Sequence, residues 1–145
     1  MSEKNIAVMQ FLGYRVVDIS YNCESSFELP EGDVSYKFNF SIWWTWRGRR
    51  WSLFRFSEND FQENLKVNIF YSEDENIDTA PYKLSVEIAG RFVCKEEWQP
   101  KWETNAIAII FPYLRSIVSM ITSTSGREPI ILPTINVASL FENTK

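Results

Sequence analysis

The densest group of chemically distinctive side chains is the segment WRGRRW, residues 46–51. Arginine pairs with phosphate groups and tryptophan stacks on unpaired bases, so this segment is a candidate for binding single-stranded nucleic acid. The same residues also fit a hairpin turn with solvated arginines and tryptophans packed beneath it. The whole chain carries 15 basic and 19 acidic residues, a net charge of −4. Proteins that neutralise phosphates usually carry the opposite balance, so RNA binding is the alternative function and not the first choice.

A second stretch with ligand chemistry is Asp74-x-Asn76-x-Asp78, which has the spacing that opens a calcium-binding EF-hand loop. Such a loop needs Gly at its sixth position and Glu at its twelfth, whereas this chain has Thr79 and Ser85 there. We therefore interpret the segment as a solvated turn, and the sequence predicts no metal site and no cofactor.

The residue types on which most catalytic sites depend are scarce in this chain. There is no histidine, which excludes Ser-His-Asp, Cys-His and HExxH sites. The five glycines are isolated and no Gly-Lys pair occurs, so neither a P-loop nor a GxGxxG motif is present. Cys23 and Cys94 are far apart, and the first residues, MSEKNIAV, are polar. These features predict a reduced cytoplasmic protein that is not an enzyme.

Alternation of apolar and polar residues indicates β-strands over the first two thirds of the chain. Predicted strand segments are residues 17–21, 36–46, 65–71 and 84–94, with Gly90 expected to mark a bulge in the last of them. The segments between them are polar turns without helical periodicity, except that WSLFRF, residues 51–56, is expected to return as a further short strand. An antiparallel sheet is therefore expected.

The apolar spacing changes to three or four residues between positions 107 and 121, which predicts an amphipathic helix. Thr104 is the expected N-cap, Pro112 a start or a bend, and Gly126 the stop. A second, shorter helix is expected from Asn136 onward. Strands followed by helices define an α+β fold, and residues 1–145 are expected to form one domain.

Aromatic residues make up 16% of the chain and are concentrated in residues 36–56. The alternating members are expected to line the core, and Trp43 and Trp51 interrupt or leave that alternation. An aromatic surplus of this kind suggests a binding groove for bases or for unfolded polypeptide. The alternating residues are the aromatic Tyr36, Phe38, Phe40, Trp44 and Trp46, together with the aliphatic Ile42.

The C-terminal third contains a series of spaced motifs: Phe111-Pro112-Tyr113 with Arg115, then Gly126, then Leu132-Pro133-x-Ile135-Asn136 and Leu140-Phe141. With these motifs, residues 105–141 resemble the C-terminal part of the SecB family of protein-export chaperones. A weaker resemblance lies at residues 17–21, VDISY, which is similar to the first-strand motif of the family.

The resemblance implies an α+β protomer in which a four-stranded antiparallel sheet is followed by two C-terminal helices. Members of the family assemble as dimers of dimers, hold unfolded preproteins in apolar grooves without ATP, and deliver them to the motor SecA. Some SecB-like proteins instead serve one antitoxin in a toxin–antitoxin system. The predicted function is therefore an ATP-independent holdase, with its client and its dimeric or tetrameric state left open.

Three sets of site residues follow from this resemblance and from the aromatic pattern. The client-binding groove is predicted to include Trp43, Trp51, Leu114, Ile131, Leu132, Leu140 and Phe141. Docking of SecA is predicted at Asp18 and Glu24, although Asn22 stands where the family has a glutamate. The oligomer interface is predicted to include Tyr113, Ile117 and Ile121.

Overall fold

Four β-strands form from the segments in which apolar and polar residues alternate. The computed structural model describes residues 9–28, 35–46, 60–74, 76–94, 100–125, 128–133 and 135–136. The strands are β1 (Met9–Cys23), β2 (Lys37–Trp46), β3 (Asp60–Tyr71) and β4 (Tyr82–Cys94). They form one antiparallel sheet in the order β1-β4-β3-β2, which confirms the predicted four-stranded antiparallel sheet.

The strand register gives the sheet two different faces. Phe40, Val67, Val86 and Ile19 are neighbours across all four strands, and their side chains point to the same side. We call this side the helix face, because the helix that follows the sheet packs on it. The outer face carries the alternate residues, and in β2 and β3 these are mostly polar, for example Asn39 and Asn68.

Helix α1 (Pro100–Thr124) covers part of the helix face. Its fully buried side chains recur every three or four residues, as the apolar spacing predicted. Although α1 is long and apolar enough to cross a membrane, this buried stripe packs on the sheet as in the core helix of a globular fold. The stripe consists of Ala106, Ile107, Ile110, Leu114 and Val118.

The prediction that Thr104 caps this helix is wrong, because α1 begins at Pro100. Proline suits a first helical position, where its missing N–H needs no partner. Pro112 lies inside α1. It cannot donate to the carbonyl of Ala108, but both residues are exposed, so water can reach that carbonyl. The second helix predicted from Asn136 and the stop at Gly126 lie largely outside the described residues.

The expected bulge at Gly90 is also wrong. Gly90 pairs regularly with Tyr14 and Glu63, and the register shifts lie instead in β1, next to Gly13 and Val17. A Cβ atom on Gly90 would lie 2.6 Å from Cγ2 of Ile110. The absence of a side chain therefore allows α1 to approach the sheet closely.

Strand β1 is longer than the predicted 17–21 and is much less buried than a half-covered strand. It lies at the edge of the sheet and pairs with β4 on one side. Gly13 adopts a φ of 128°, which other residues rarely adopt, and it sits beside the first irregularity of the strand. The two irregularities interrupt the alternation of apolar and polar residues, so the sequence pattern does not predict the full length of the strand.

Candidate functional site

An apolar surface remains uncovered on the helix face of β1. Four neighbouring side chains there keep 39–46% of their surface exposed in the protomer. Each would become buried if another apolar surface covered this strand, and the outer backbone edge of β1 could pair with a further strand. We call this surface the β1 patch, and its members are Tyr14, Val16, Ile19 and Tyr21.

The β1 patch continues onto α1 through aromatic rings in contact. The ring of Tyr113 lies 4.6 Å from that of Tyr14 and 5.6 Å from that of Phe11, measured between centroids. Phe11 in turn contacts Phe92, which stacks on Phe61 in the core. Tyr113 is 39% exposed, and Met120, two turns further along α1, is 60% exposed. The uncovered apolar surface therefore spans two elements and is anchored in the core.

The predicted interface residues on α1 have different environments. Tyr113 lies at the surface, as just described. Ile117 is 6% exposed and belongs to the protomer core, whereas Ile121 is partly buried against that core. Only Tyr113 of the three therefore presents a large apolar area in the protomer.

The segment after α1 lies along the helix and is held by polar side chains. Arg115 donates from Nε and Nη2 to the main-chain oxygen of Leu132, at 3.1 and 2.8 Å. Thr122 and Ser119 bond the main chain of Ile130. As a result Leu132 is fully buried, whereas Ile131, which lies between Ile130 and Leu132, is 69% exposed. Arg115 was noted in the sequence only as part of a motif, and the pattern gave no sign of this role.

The predicted groove residues do not all lie together. Trp43 is 39% exposed, but its register opposite Asn64 places it on the outer face, away from α1 and Ile131. Leu114 and Leu132 are fully buried, so they support the surface from beneath and do not form it. Trp51, Leu140 and Phe141 lie outside the described residues, as does most of the WRGRRW segment.

The two residues predicted to dock SecA are both exposed but lie apart. Asp18 is on the outer face of β1, directly opposite Glu87, so two carboxylates are neighbours there. Glu24 follows the end of β1, about 20 Å along the strand from Asp18 at ~3.3 Å per residue. Its N–H donates to the oxygen of Pro81, and it borders a surface cavity of about 490 Å³ together with Phe27 and Tyr71.

The segment with calcium-like spacing is a hydrogen-bonded turn that includes a short 3-10 helix, Ile77–Thr79. The Asp74 carboxylate accepts bonds from Ser72, from the Asn76 N–H and from the Thr79 hydroxyl, and these bonds lower its pKa. Within the described ranges, no three histidine, cysteine, aspartate or glutamate residues are placed to hold a metal ion together. The internal bonds give the aspartate a structural role.

A pair of carboxyl groups, one fully buried and one half-buried, was not expected from the sequence. Glu63 on β3 is fully buried on the helix face, and no described N–H or hydroxyl donates to either of its oxygens. Glu103, in the first turn of α1, faces it. Burial, together with the nearby Glu103 charge, raises the pKa of Glu63 to about 11, so Glu63 is protonated at neutral pH. Its O–H can then donate to the Glu103 carboxylate.

An α+β protomer with an uncovered apolar strand is suited to contact with an apolar partner, and comparison with known proteins identifies its family. The model of the family described as preprotein translocase subunit SecB matches residues 16–145. Because this match covers most of the chain, the protein belongs to the SecB family. This membership confirms the resemblance seen in the sequence.

Two relatives are similar to this chain in sequence. An uncharacterized protein of Methanocaldococcus jannaschii is 31% identical over 140 residues, which cover 93% of this chain and 83% of the relative. The protein-export protein SecB of Roseobacter denitrificans is 31% identical over 93 residues, which cover 61% of this chain and 55% of that protein.

The fold also matches that of a solved structure. It is the Rv1957 SecB-like chaperone of Mycobacterium tuberculosis, in complex with a ChAD peptide from the HigA1 antitoxin Rv1956. The TM-score is 0.63 at 16% sequence identity, and the match covers 92% of this chain and 95% of the other. At this identity the likeness establishes the shared fold, and membership of the family indicates a chaperone.

Proposed function

We propose that this protein is a cytoplasmic, ATP-independent holdase that binds unfolded or nascent polypeptide through exposed apolar surface. The observation that carries the proposal is the apolar surface left exposed in the protomer, which comprises the β1 patch with Tyr113, then Met120 on α1 and Ile131 on the segment after it. Apolar contact has little directionality, so such a surface accepts many sequences. Folded proteins have already buried the segments that it would bind.

Part of this surface is proposed to serve self-association. The β1 patch lies on an edge strand whose outer edge pairs with no strand in the described part of the chain, so a second copy can extend the sheet and cover the patch at the same time. We therefore propose a homo-oligomer that is built through β1 and Tyr113. Exposed apolar residues farther along the chain, Met120 and Ile131, then remain for clients.

The energetics favour several weak sites over one tight pocket. Burying five client side chains contributes ~7–15 kcal/mol at ~1.5–3 kcal/mol each. Association and ordering cost about 4–15 kcal/mol, which offsets much of that gain. One site alone therefore binds weakly, and an oligomer with repeated sites holds a long chain more firmly.

Two client classes fit the proposal. The SecB of Roseobacter denitrificans is a protein-export protein, and the exposed Asp18 beside Glu87 offers acidic surface for a motor such as SecA. The M. tuberculosis neighbour binds an antitoxin peptide, which supports one dedicated client for this chain as well. Both classes require binding of an unfolded segment.

The test is light scattering from a slow-folding polypeptide diluted out of denaturant, with stoichiometric protein and no ATP. Suppression of aggregation that persists in high salt is expected, because apolar association does not weaken with salt. Bovine serum albumin is the inert control. Absence of suppression would overturn general holdase activity. Tight RNA binding that collapses as salt rises would favour the WRGRRW alternative instead.

A further inference from the structure

The segment EPIILP, residues 128–133, has the pattern of a very short strand bracketed by two prolines. Its central side chains alternate between inside and outside: Ile130 is 6% exposed, Ile131 is 69% exposed and Leu132 is fully buried. Each proline also disfavours helix for the residue before it. This stretch is therefore extended, and its two inward side chains join the core.

Side chains of α1 form hydrogen bonds with the main-chain groups along one edge of this extended stretch, where a sheet would have a neighbouring strand. The Thr122 hydroxyl oxygen accepts the N–H of Ile130 at 2.8 Å, and the Ser119 hydroxyl donates to the Ile130 oxygen at 3.1 Å. Arg115 donates two bonds to the Leu132 oxygen. The three donors and acceptors are four and three residues apart, so they lie along one side of the helix. We call Arg115, Ser119 and Thr122 the helix clamp.

The opposite edge of the stretch has no main-chain partner among the described residues, and we call it the open edge. In extended backbone, the N–H and C=O of one residue point to one side and those of the next residue to the other. Since the groups of Ile130 face α1, those of Ile131 face away from it. No described residue forms a hydrogen bond with either main-chain group of Ile131. Pro129 and Pro133 have no N–H, so Ile131 carries the one donor on this edge between residues 129 and 133.

We propose that this open edge pairs with the main chain of an extended client segment, in the manner of an added β-strand, while the Ile131 side chain contacts a client apolar residue. The helix clamp positions the edge. This inference rests on the proposed holdase function and adds the mode of recognition. The paired residues exchange an N–H and a C=O bond, as in the hydrogen-bonded pair of an antiparallel ladder.

A client segment suits this edge better than a second copy of the chain. Main-chain pairing reads no side chains, which matches a partner of variable sequence. Pairing at an edge with a single donor buries little surface. A stable protein interface buries ~1,200 Å² or more, so this edge alone does not hold a second copy. A long client that is held at several places can nonetheless use it, because each further contact is then intramolecular.

The first test is amide hydrogen exchange of the full-length protein, with and without reduced and carboxymethylated α-lactalbumin as a permanently unfolded probe. In the free protein the Ile130 amide is expected to be protected by Thr122 and the Ile131 amide to exchange fast. Binding of the probe is expected to slow exchange at Ile131. If the probe binds and Ile131 exchange stays unchanged, this inference is overturned while the holdase proposal stands. If the probe does not bind at all, both are overturned.

Substitutions separate the main chain of Ile131 from its side chain. Ile131→Ala keeps the N–H, and Ile131→Pro removes it at similar exposure. We expect the proline variant to bind the probe about 3- to 10-fold more weakly than the alanine variant, the value of one hydrogen bond. Equal affinities in the two variants, with unchanged melting temperatures, would contradict main-chain pairing.

The helix clamp is tested by variants on the same helix. Arg115→Gln and Ser119→Ala are expected to speed exchange at Ile130 or loosen Leu132, and to weaken probe binding several-fold. Arg115→Lys is expected to recover part of the affinity, because one donor to Leu132 can remain. Ser123→Ala is the matched control, since Ser123, among the described residues, bonds the oxygen of Met120 within α1 and no atom of residues 128–133. A loss of melting temperature without a loss of affinity would show that the clamp is structural and does not position the edge.

Discussion

Glu63 is a carboxyl group in a place that ordinarily takes an apolar side chain. It lies on the helix face between Phe61 and Leu65, both fully buried. A buried carboxylate is costly, so the group keeps its proton and shares it with Glu103. Burial also raises the pKa of Glu103, whereas the hydrogen bond from Glu63 and the position in the first turn of α1 favour its negative charge. The proton therefore links the beginning of α1 to β3.

The raised pKa of Glu63 predicts that the protein loses stability as pH rises. Between pH 4.5 and about 11 the folded chain holds a proton on Glu63 that the unfolded chain releases. The free energy of unfolding should therefore fall with pH, by up to ~1.4 kcal/mol per unit from this group. Glu63→Gln should flatten the dependence between pH 5 and 8 and unfold at higher denaturant than the natural chain at pH 8.

Urea unfolding at pH 5, 6, 7 and 8 checks this expectation. Glu87→Gln is the control, because Glu87 is a partly buried carboxylate on the outer face that accepts a hydrogen bond from Asn64. Parallel pH profiles for the natural chain and Glu63→Gln would show that Glu63 is ionised in the folded protein.

The close approach of α1 to Gly90 predicts that any side chain at position 90 destabilises the protein. Gly90→Ala places a Cβ 2.6 Å from Cγ2 of Ile110 and 3.0 Å from Cε2 of Phe92. Displacing α1 or these side chains should cost about 1–3 kcal/mol in the free energy of unfolding. Ile110→Ala removes the first clash. The double variant should therefore lose less free energy of unfolding than the sum of the losses in the two single variants. Additive effects would mean that the added methyl group is accommodated elsewhere.

At the scale of the elements, β2, β3 and β4 could be predicted from the sequence, because each has one apolar and one more polar face. The extent of β1 could not, since its exposed side chains give no alternation and two irregularities shift its register near Gly13 and Val17. The start of α1 was misplaced because Thr104 and Pro112 are strong local signals. The packing of Trp102 and Ala106 against the sheet outweighs them.

Of the candidate site, the sequence predicts only that some large apolar side chains are exposed. An exposed Trp43 and an exposed Ile131 agree with expectations drawn from aromatic excess and from family resemblance. Whether they bind clients stays a prediction. The clamp of Arg115, Ser119 and Thr122 was not predictable, because side-chain bonds to a distant main chain leave no periodic pattern. The pairing of Glu63 with Glu103 depends likewise on contacts between remote segments.

Strand β1 carries the prediction for assembly. Ile19→Glu places a charge in the middle of the β1 patch, and burial of an unpaired charge against a second copy is strongly unfavourable. We expect the variant to dissociate into smaller species in sedimentation velocity while it keeps the melting temperature of a folded protomer. Ser20→Glu is the matched control, since Ser20 is exposed on the outer face of the same strand. Equal dissociation by both variants would argue against the helix face of β1 as the interface.

For the whole molecule, the length of the client should determine affinity more than any single contact. Separate client-binding surfaces on different protomers make the second contact of one long chain intramolecular, which raises avidity by ~10²–10⁴-fold. We therefore expect a full-length unfolded polypeptide to bind the natural oligomer far more tightly than any of its 15- to 20-residue fragments (a length chosen to reach about one site).

The Ile19→Glu variant turns this expectation into a test of assembly. It leaves Ile131 and the helix clamp in place, so each fragment should bind it about as well as it binds the natural chain. The advantage of the full-length client over its fragments should shrink, because one protomer offers fewer sites. Titration calorimetry with the full-length client and with a fragment measures the ratio of the two affinities, for the natural chain and for the variant. A dissociated variant that keeps the full advantage would show that the sites within one protomer suffice to hold a client, and that assembly serves another purpose.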